Sequence, residues 1–488
     1  MFIIKHYLKN SSLKSTIIFI LFILISTLFI QKYHFLSNEM PSRHGDDAAY
    51  FNTAFNLKKF NVASHQVEEF RVYNHKNSIK PPFYSFVLSL FLDIDDSFKS
   101  VSLECVYSKE IKKECFEFVQ KAKKINVYIH FIHSLILFFL ILFLTRNSYL
   151  SLFGSLTILF STYFLKTTNY FMTENLSGIL LLLHSFLLYL FFNKKLNLLY
   201  LIFSSFFLSI LILTKAIFIY WFYLLIFIFL LIIIARYILN FLKVNNPYFF
   251  YHLDVWNLLV FFSIVIIIIT PWQFRNLIDQ GKFKISLQGG NVISERAEYL
   301  KTDMEDIKVG IIFYIPSKTL KKNFKSILSE KSYMFDEANK NSHYRNSDNY
   351  EKGYVLSKLD WKDKDNSDKI FEKSLQLIFD EPIKHIYLSF MFFVRGIFHE
   401  TMNNGYPFLL KLTSSIIHWS STIFLPFIFA ISLILRSKIF VLSMPCIFVI
   451  FAYSFFTDFE PRYGSVIVSS YILILTYLIN NMIRFKNK

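Results

Sequence analysis

Two adjacent carboxylates, Asp46 and Asp47, stand in the stretch RHGDDAAYF, a short way past the first long apolar run. A carboxylate that is partly desolvated beside a like charge has a raised pKa, which suits it to act as a general base near neutral pH. The alternative is structural, because Asp47 precedes the helical pattern AAYFNTAF and an aspartate there can cap a helix. Both interpretations can hold at once, one aspartate for each.

Three cations are candidates for binding an anionic group. Lys80 opens KPPFYSFVLSLF and either extends from an interfacial helix towards the membrane surface or binds a lipid phosphate. Arg275, in TPWQFRNLIDQGKF, follows Pro271, which we expect to end a span; it either binds phosphate oxygens through two N–H groups or anchors to headgroups. Arg462, in DFEPRYGS, either joins this group or forms a weak surface pair with Glu460.

Glu174, in YFMTENLSG, lies near the outer end of an apolar run. Carboxylates within spans are costly and by default suggest function, although a capping role at the interface is the alternative. Lys215, in LTKA, is another cation at a span end and is uninformative by itself.

The three cysteines indicate no metal site. Cys446 lies inside an apolar run, as a small core residue would. Cys105 and Cys115 flank a charged segment, and no histidine or further cysteine nearby completes a set of metal ligands. They form a disulfide if the segment is outside the cytosol, and otherwise stay as two free thiols.

The elements that must position these residues are membrane spans. The chain has 488 residues, of which 54% are hydrophobic, and apolar stretches of about 17–25 residues recur along it, the length that crosses the hydrocarbon core as a helix. We therefore expect an all-α polytopic membrane protein. The net charge of +17 fits Lys and Arg beside spans and anionic lipid headgroups. No nucleic-acid partner is expected, because no DNA- or RNA-binding motif accompanies the charge.

About ten spans are predicted, with both chain ends in the cytoplasm. The basic N-terminus precedes an uncleaved anchor helix, and the short basic loops all fall on the cytoplasmic side. The predicted spans are Thr16–Ile30, Ile125–Thr145, Leu150–Leu165, Phe171–Phe192, Leu196–Leu213, Ala216–Ile234, Val255–Thr270, Pro407–Leu435, Ile439–Phe455 and Ser465–Ile483.

Two longer segments are expected outside the cytoplasm. The first loop, 31–124, contains Phe83, Phe86, Val87 and Leu90 at the spacing of one helix face, which predicts an interfacial helix. We divide the chain into an N-terminal catalytic module (1–271) that includes this loop, an outer loop region (272–383) and C-terminal spans (384–488).

The ordered motifs resemble one family. GDDAAYFNTAFNL, KPPFYSFVLSLF, TENLSGILL, TPWQFRNLIDQGKF with a following Gly-Gly-Asn, LQLIFDEPIKHIYLSF and EPRYGSVIVSSYILIL are similar in order to motifs of the GT-C membrane glycosyltransferases, in the branch of protein O-mannosyltransferases and lipid A aminoarabinose transferases. Two features depart from it: the family's acid pair is usually Asp-Glu, and the stretch around Cys105–Cys115 lengthens the first loop.

The resemblance implies the GT-C fold and an inverting sugar transfer from a polyprenyl-phosphate donor on the outer face of the membrane. By matched position, Asp46 would be the base, Lys80 and Arg275 would hold the donor phosphate with Arg462 as a weaker candidate, and Asp47 and Glu174 would shape the acceptor or sugar side. A lipid, glycan or protein acceptor stays open, and so does a divalent cation.

The location expected is the bacterial inner membrane, with the active site outside the cytoplasm; the membrane of the endoplasmic reticulum is the alternative. Two other classes of function compete with an enzyme. A transporter or flippase would favour ionisable residues near mid-bilayer and paired repeats of broken helices, whereas the charges here gather at one interface. The third class is a non-catalytic scaffold of the envelope.

Overall fold

The structure is a computed structural model. It describes residues 13–486 except 34–39, 42–44, 75–79, 93–98, 100, 109, 194–196, 243–252, 288, 301–302, 324–363, 400–405 and 458. Asp458 and the basic N-terminal residues therefore lie outside the described part of the chain.

Every element that the structure describes is a helix. Eight helices in these ranges are long and apolar enough to cross a membrane, consistent with a multi-pass membrane protein. Their apolar spans are Leu13–Gln31, Lys113–Thr145, Glu174–Asn193, Phe218–Phe241, Val255–Gln280, Phe408–Ile434, Ile439–Phe456 and Pro461–Phe485.

The two remaining predicted spans are irregular. The stretch predicted as Leu150–Leu165 is two helices, Ser148–Leu159 and Thr162–Thr168, that meet at a bend of 51°. The stretch predicted as Leu196–Leu213 is an apolar helix, Leu198–Ile212, of only 15 residues. The prediction of about ten spans thus corresponds to eight long helices, one bent pair and one short helix.

Shorter helices complete the described structure. They are Asp46–Phe60, Glu69–Asn74, Phe83–Phe91, Leu103–Val106, Gly289–Tyr299, Met304–Tyr314, Lys318–Asn323, Lys364–Asp380 and Pro382–Phe398.

The prediction that Pro271 ends a span is wrong. Helix Val255–Gln280 continues through Pro271 and ends at Gly281, whose φ of 69° allows the left-handed turn that closes it. Proline is tolerated inside membrane helices because neighbouring groups can satisfy the carbonyl that loses its N–H donor. Arg275 consequently belongs to the last turns of this helix and does not lie in a loop.

The chain forms two compact units, each built from separate stretches of sequence. The first comprises Met1–Ile285, Met402–Ile447 and Ser465–Lys488, and the second comprises Ser286–Thr401 and Phe448–Gly464. In the first unit, helix Glu174–Asn193 is buried along nearly its whole length, whereas helix Val255–Gln280 has more exposed than buried apolar residues. The buried helix therefore carries its polar residues inside the unit.

An aromatic core holds helix Asp46–Phe60 in the first unit. Phe51 stacks on Phe171 with ring centroids 4.7 Å apart, and Phe55 meets Phe118 edge-on at 5.8 Å. These rings are fully buried, so their contacts bind the helix to its neighbours through a large apolar area. Both aspartates of the sequence motif stand at the first turn of this anchored helix.

Candidate active site

The acid pair begins helix Asp46–Phe60 without capping it. Gly45 occupies the cap position in an extended conformation, and no side chain caps the helix there. The prediction that Asp47 is the cap is therefore wrong, although both carboxylates lie in the first turn, where the helix dipole favours negative charge. Asp47 is buried, whereas the side chain of Asp46 is 40% exposed. Of the two acids, Asp46 is the one that is accessible to solvent.

Lys80 lies directly against Asp46. Its Nζ is 2.6 Å from Oδ1 of Asp46, and its side chain is only 11% exposed. The ammonium of Lys80 also lies 5.8 Å from the centre of the Tyr50 ring. Tyr50 is one turn after Asp46 on helix Asp46–Phe60. The structure thus brings together the predicted base and one predicted phosphate-binding cation.

The helix that follows Lys80, Phe83–Phe91, buries Tyr84, Ser85, Leu88 and Ser89. Ser85 Oγ donates to the carbonyl of Tyr50 at 3.0 Å, and Tyr84 meets the Tyr50 ring edge-on at 5.3 Å. Phe86 and Leu90 are exposed. The predicted helix is confirmed, whereas its position at the membrane interface stays a prediction.

Tyr84 connects this helix to the membrane-spanning helices. Its hydroxyl donates to Oδ1 of Asn126 at 2.8 Å, and Asn126 in turn donates to the carbonyl of Tyr170 at 2.8 Å. Burial raises the pKa of Tyr84 far above its usual value, and the negative charges of Glu174 and Asp47 raise it further, against the opposing hydrogen bond to Asn126. Tyr84 therefore lies in the electrostatic field of both carboxylates.

Glu174 and Lys215 form a second ion pair, and both side chains are almost fully buried. Nζ of Lys215 is 3.1 Å from Oε1 of Glu174. The backbone N–H of Phe83 donates to the carbonyl of Leu213 at 2.9 Å, two residues before this lysine. The segment that carries Lys80 is thus attached beside the second pair, and Glu174 is part of the same region as the acid pair.

Arg275 is held by its own helix and by a loop. It forms an ion pair with Asp279 at 3.0 Å, stacks 4.8 Å from the centre of the Trp272 ring, and donates from Nη2 to the carbonyl of Ala63 at 2.5 Å. The side chain of Arg275 is 19% exposed, so only a small part of it is in contact with solvent. Through Ala63, Arg275 contacts the loop that follows helix Asp46–Phe60.

That loop is tied back to the Asp46 helix by two asparagines. Asn52 donates to the carbonyl of His65 at 3.1 Å, and Asn56 donates to the carbonyls of Ser64 and Gln66, each at 2.8 Å. Arg275 is therefore linked to the helix of the acid pair through hydrogen bonds to one short loop.

Arg462 belongs to the second unit. Its Nε is 2.5 Å from Glu460, its Nη2 donates to the hydroxyl of Tyr463 at 2.9 Å, and Arg395 approaches the same Glu460 at 3.9 Å. The Glu–Arg pair expected from the sequence forms, but it is mostly buried and includes a second arginine.

Sequence reasoning missed three members of the site. Tyr84 and Asn126 were missed because each looks like an ordinary residue of an apolar helix. The role of Lys215 was missed because its partner, Glu174, is 41 residues away in sequence. A lysine at the end of an apolar run was the one usable signal, since such a charge needs a partner when it is buried.

A divalent cation finds no ready ligands here. No group of three or more His, Cys, Asp and Glu side chains that could hold a metal ion occurs in the ranges that the structure describes. Asp46 and Glu174 are each paired with a lysine, Lys80 and Lys215 respectively.

Comparisons with protein-family models, with curated proteins and with solved structures gave no match.

Proposed function

We propose that the chain is a glycosyltransferase that moves a sugar from a polyprenyl-phosphate donor to an envelope acceptor by inverting displacement. The acceptor is a lipid, a glycan or a protein, and the setting is the outer face of a bacterial inner membrane. The observation that carries the proposal is the ion pair between Asp46 and Lys80, which sets a partly exposed carboxylate beside a cation at the end of an anchored helix.

The reaction requires a base and a charge acceptor in one place. The acceptor hydroxyl or amine attacks the anomeric carbon, its proton passes to Asp46, and the bond from that carbon to the phosphate oxygen breaks. The polyprenyl phosphate leaves with the electron pair of that bond. Cations placed in advance stabilise this growing negative charge and lower the barrier.

The side chains present suit these roles. A lysine ammonium has three N–H donors, so Lys80 can contact Asp46 and a donor phosphate oxygen together. Arg275 offers a planar guanidinium of the kind that binds phosphate through two N–H groups. Asp47 and Glu174, both buried, then shape the acceptor or sugar side without exposing further negative charge to the phosphate.

The disulfide supports the outer location. Cys105 and Cys115 are joined, with their Cα atoms 6.2 Å apart. Disulfides persist in oxidising compartments, and this one joins the short helix Leu103–Val106 to the first turn of helix Lys113–Thr145. The loop that contains the acid pair is therefore proposed to face away from the cytoplasm.

The test is the Asp46→Asn variant in membranes supplied with polyprenyl-phosphate sugars. General-base catalysis contributes about 10²–10⁴-fold in rate, so we expect product, measured by mass spectrometry of envelope glycans, to fall by at least about 100-fold. Glu68→Gln, which removes only the exposed pair with Arg71, is the matched control. Unchanged product from folded Asp46→Asn would remove the base assignment.

A transporter or flippase is the second candidate. One observation favours it: His130, His133 and His184 are fully buried within membrane-spanning helices, where ionisable residues are a feature of transport pathways. Proteoliposomes loaded with labelled polyprenyl-phosphate sugar separate the two functions. A transporter moves the lipid across the bilayer with its mass unchanged, whereas a transferase makes a new glycosidic bond.

A further inference from the structure

A series of hydrogen bonds connects the disulfide-closed segment to Arg275. The hydroxyl of Tyr107, which lies inside that segment, donates to Oδ1 of Asn52 at 2.7 Å. Nδ2 of Asn52 donates to the carbonyl of His65 at 3.1 Å. Two residues before His65, the carbonyl of Ala63 accepts from Nη2 of Arg275 at 2.5 Å. Tyr107 and Arg275 therefore act on the same short loop from opposite sides of the series.

The amide of Asn52 is the link between the tyrosine and the loop. The carbonyl of His65 can only accept, so the amide nitrogen must face it and the amide oxygen faces Tyr107. Asn52 is buried, and a buried acceptor that loses its donor is unfavourable. Without the hydroxyl of Tyr107, we expect the amide to shift and its contact with His65 to loosen.

The loop depends on such side-chain contacts for its position. Helix Asp46–Phe60 ends at Asn61, whose φ is 57°, and residues 62–66 form no helix. Asn52 and Asn56, four residues apart on one helix face, together hold the carbonyls of three successive residues, Ser64, His65 and Gln66. Ala63 comes directly before these three, so a change in their hold is expected to move its carbonyl.

The segment that carries Tyr107 is anchored separately from the loop. The bridge between Cys105 and Cys115 spans 10 residues and encloses Tyr107, two positions after the first cysteine. The side chain of Tyr107 packs against the core cluster that contains Phe55 and Phe118. On the other side of the short helix, Nζ of Lys59 donates to the carbonyl of Val101 at 2.9 Å. Tyr107 is consequently a fixed point from which Asn52 can be held.

We propose that Tyr107 is a positioning residue for Arg275 and that the Cys105–Cys115 bridge keeps it in place. Through Asn52 and the loop, Tyr107 holds the carbonyl of Ala63 against the guanidinium. The stretch that lengthens the first loop, relative to the family that the motifs resemble, thereby acts on a cation about 170 residues further along the chain.

The consequence for Arg275 is a defined orientation. Asp279 accepts from Nε at 3.0 Å, and the carbonyl of Ala63 accepts from Nη2, so the planar group is held from two sides. Binding of a phosphate through two N–H groups requires the plane of the guanidinium to be aligned with the ligand. The part of this inference that concerns phosphate rests on the proposed function, whereas the hold on Arg275 does not.

Labelling of Arg275 by phenylglyoxal in the full chain in nanodiscs tests the hold. The reagent bridges both Nη atoms, so the contact with Ala63 must open before it reacts. Tyr107→Phe keeps the ring and removes one hydrogen bond, so mass spectrometry should show Arg275 labelled about fivefold faster. Tyr73→Phe, which removes the hydroxyl of an exposed tyrosine, is the matched control and should label as the wild type does. Equal rates in all three proteins would overturn the proposal.

Reduction tests the role of the bridge without a substitution. Phosphine reductant should speed the labelling of Arg275 in the wild type, because Tyr107 then loses its anchor. It should add little in Tyr107→Phe, in which the link to Asn52 is already broken. The same acceleration in both proteins would show that the bridge does not act through Tyr107.

Initial rates with a polyprenyl-phosphate sugar separate positioning from general stability. Tyr107→Phe should raise the KM for the donor about fivefold at unchanged kcat, because a phosphate contact is made before and during transfer. A variant that only folds less well would lower kcat and keep the KM. Faster labelling of Arg275 with an unchanged donor KM would remove this arginine from the phosphate site, which would count against the proposed function and leave the positioning by Tyr107 intact.

Discussion

Lys80 and Asp46 are 34 residues apart in sequence and form an ion pair of 2.6 Å. The lysine is nearly buried and the carboxylate is partly exposed, so the pair stands at the edge of the protein interior. It joins the two motifs GDDAAYF and KPPF, to which the family resemblance assigns the base and the phosphate contact. Their contact is the strongest structural support for treating this region as a site.

Replacing Lys80 by Met is expected to weaken donor binding and slow transfer together. The variant removes a cation from the phosphate and a partner from Asp46, and loss of such a charge contact typically costs about 100-fold in rate. Initial rates at varied donor concentration should show a raised KM for the donor and a lowered kcat.

Lys113→Met is the matched control, because it removes a lysine from an exposed pair with Glu117. It should leave both constants as in the wild type. A donor KM that Lys80→Met does not change would show that this lysine does not contact the phosphate.

The pair of Glu174 and Lys215 is expected to behave as a buried ion pair. Lys215→Met leaves a carboxylate buried with its charge uncompensated, which destabilises a protein by about 3–5 kcal/mol. Adding Glu174→Gln to the same chain removes that charge, so the double variant should recover most of the loss. Unfolding free energies in detergent for the four combinations measure the coupling, and losses that simply add would mean that the two side chains do not interact.

The disulfide is expected to show in a count of alkylated thiols. Denatured but unreduced protein should take up one alkyl group, at Cys446, and reduced protein should take up three. Opening the bridge with Cys105→Ser and Cys115→Ser should lower the unfolding free energy by about 3 kcal/mol for a loop of this length. Cys446→Ala keeps the bridge and serves as the control; three alkylated thiols before reduction would contradict the pairing.

The apolar runs predicted the helices because burial in lipid demands long apolar segments whose backbone bonds are internal. The length of an apolar run does not, however, show at which residue a helix begins or ends. Pro271 lies inside a helix that is closed ten residues later by Gly281, since the left-handed turn, and not the proline, stops it. Gly45 in turn holds the cap position that the pattern assigned to Asp47.

The candidate site was harder to predict than the fold, because its contacts join distant segments. The sequence predicts that Asp46, Lys80 and Glu174 lie on one side of the membrane, but it does not show which side chains pair. Tertiary packing decides that Glu174 meets Lys215 and that Arg462 stands with Glu460 in the second unit. Periodicity within one helix carries no information about such partners.

The second unit is expected to lose stability in acid through His385. Burial, and then the positive charge of Arg296, lower the pKa of His385 from 6.5 to about 4. The unfolded chain therefore binds a proton between pH 6.5 and 4 that the folded unit does not. This contribution to stability consequently falls as the pH drops through that window and is constant near neutrality.

The variant His385→Phe removes this titrating group, and Tyr387→Phe, an exposed change on the same helix, is the control. The midpoint of thermal unfolding should therefore fall more steeply in the wild type and in the control than in His385→Phe as the pH goes from 7 to 4.5. Parallel pH profiles for all three proteins would show that His385 titrates alike in the folded and unfolded chain.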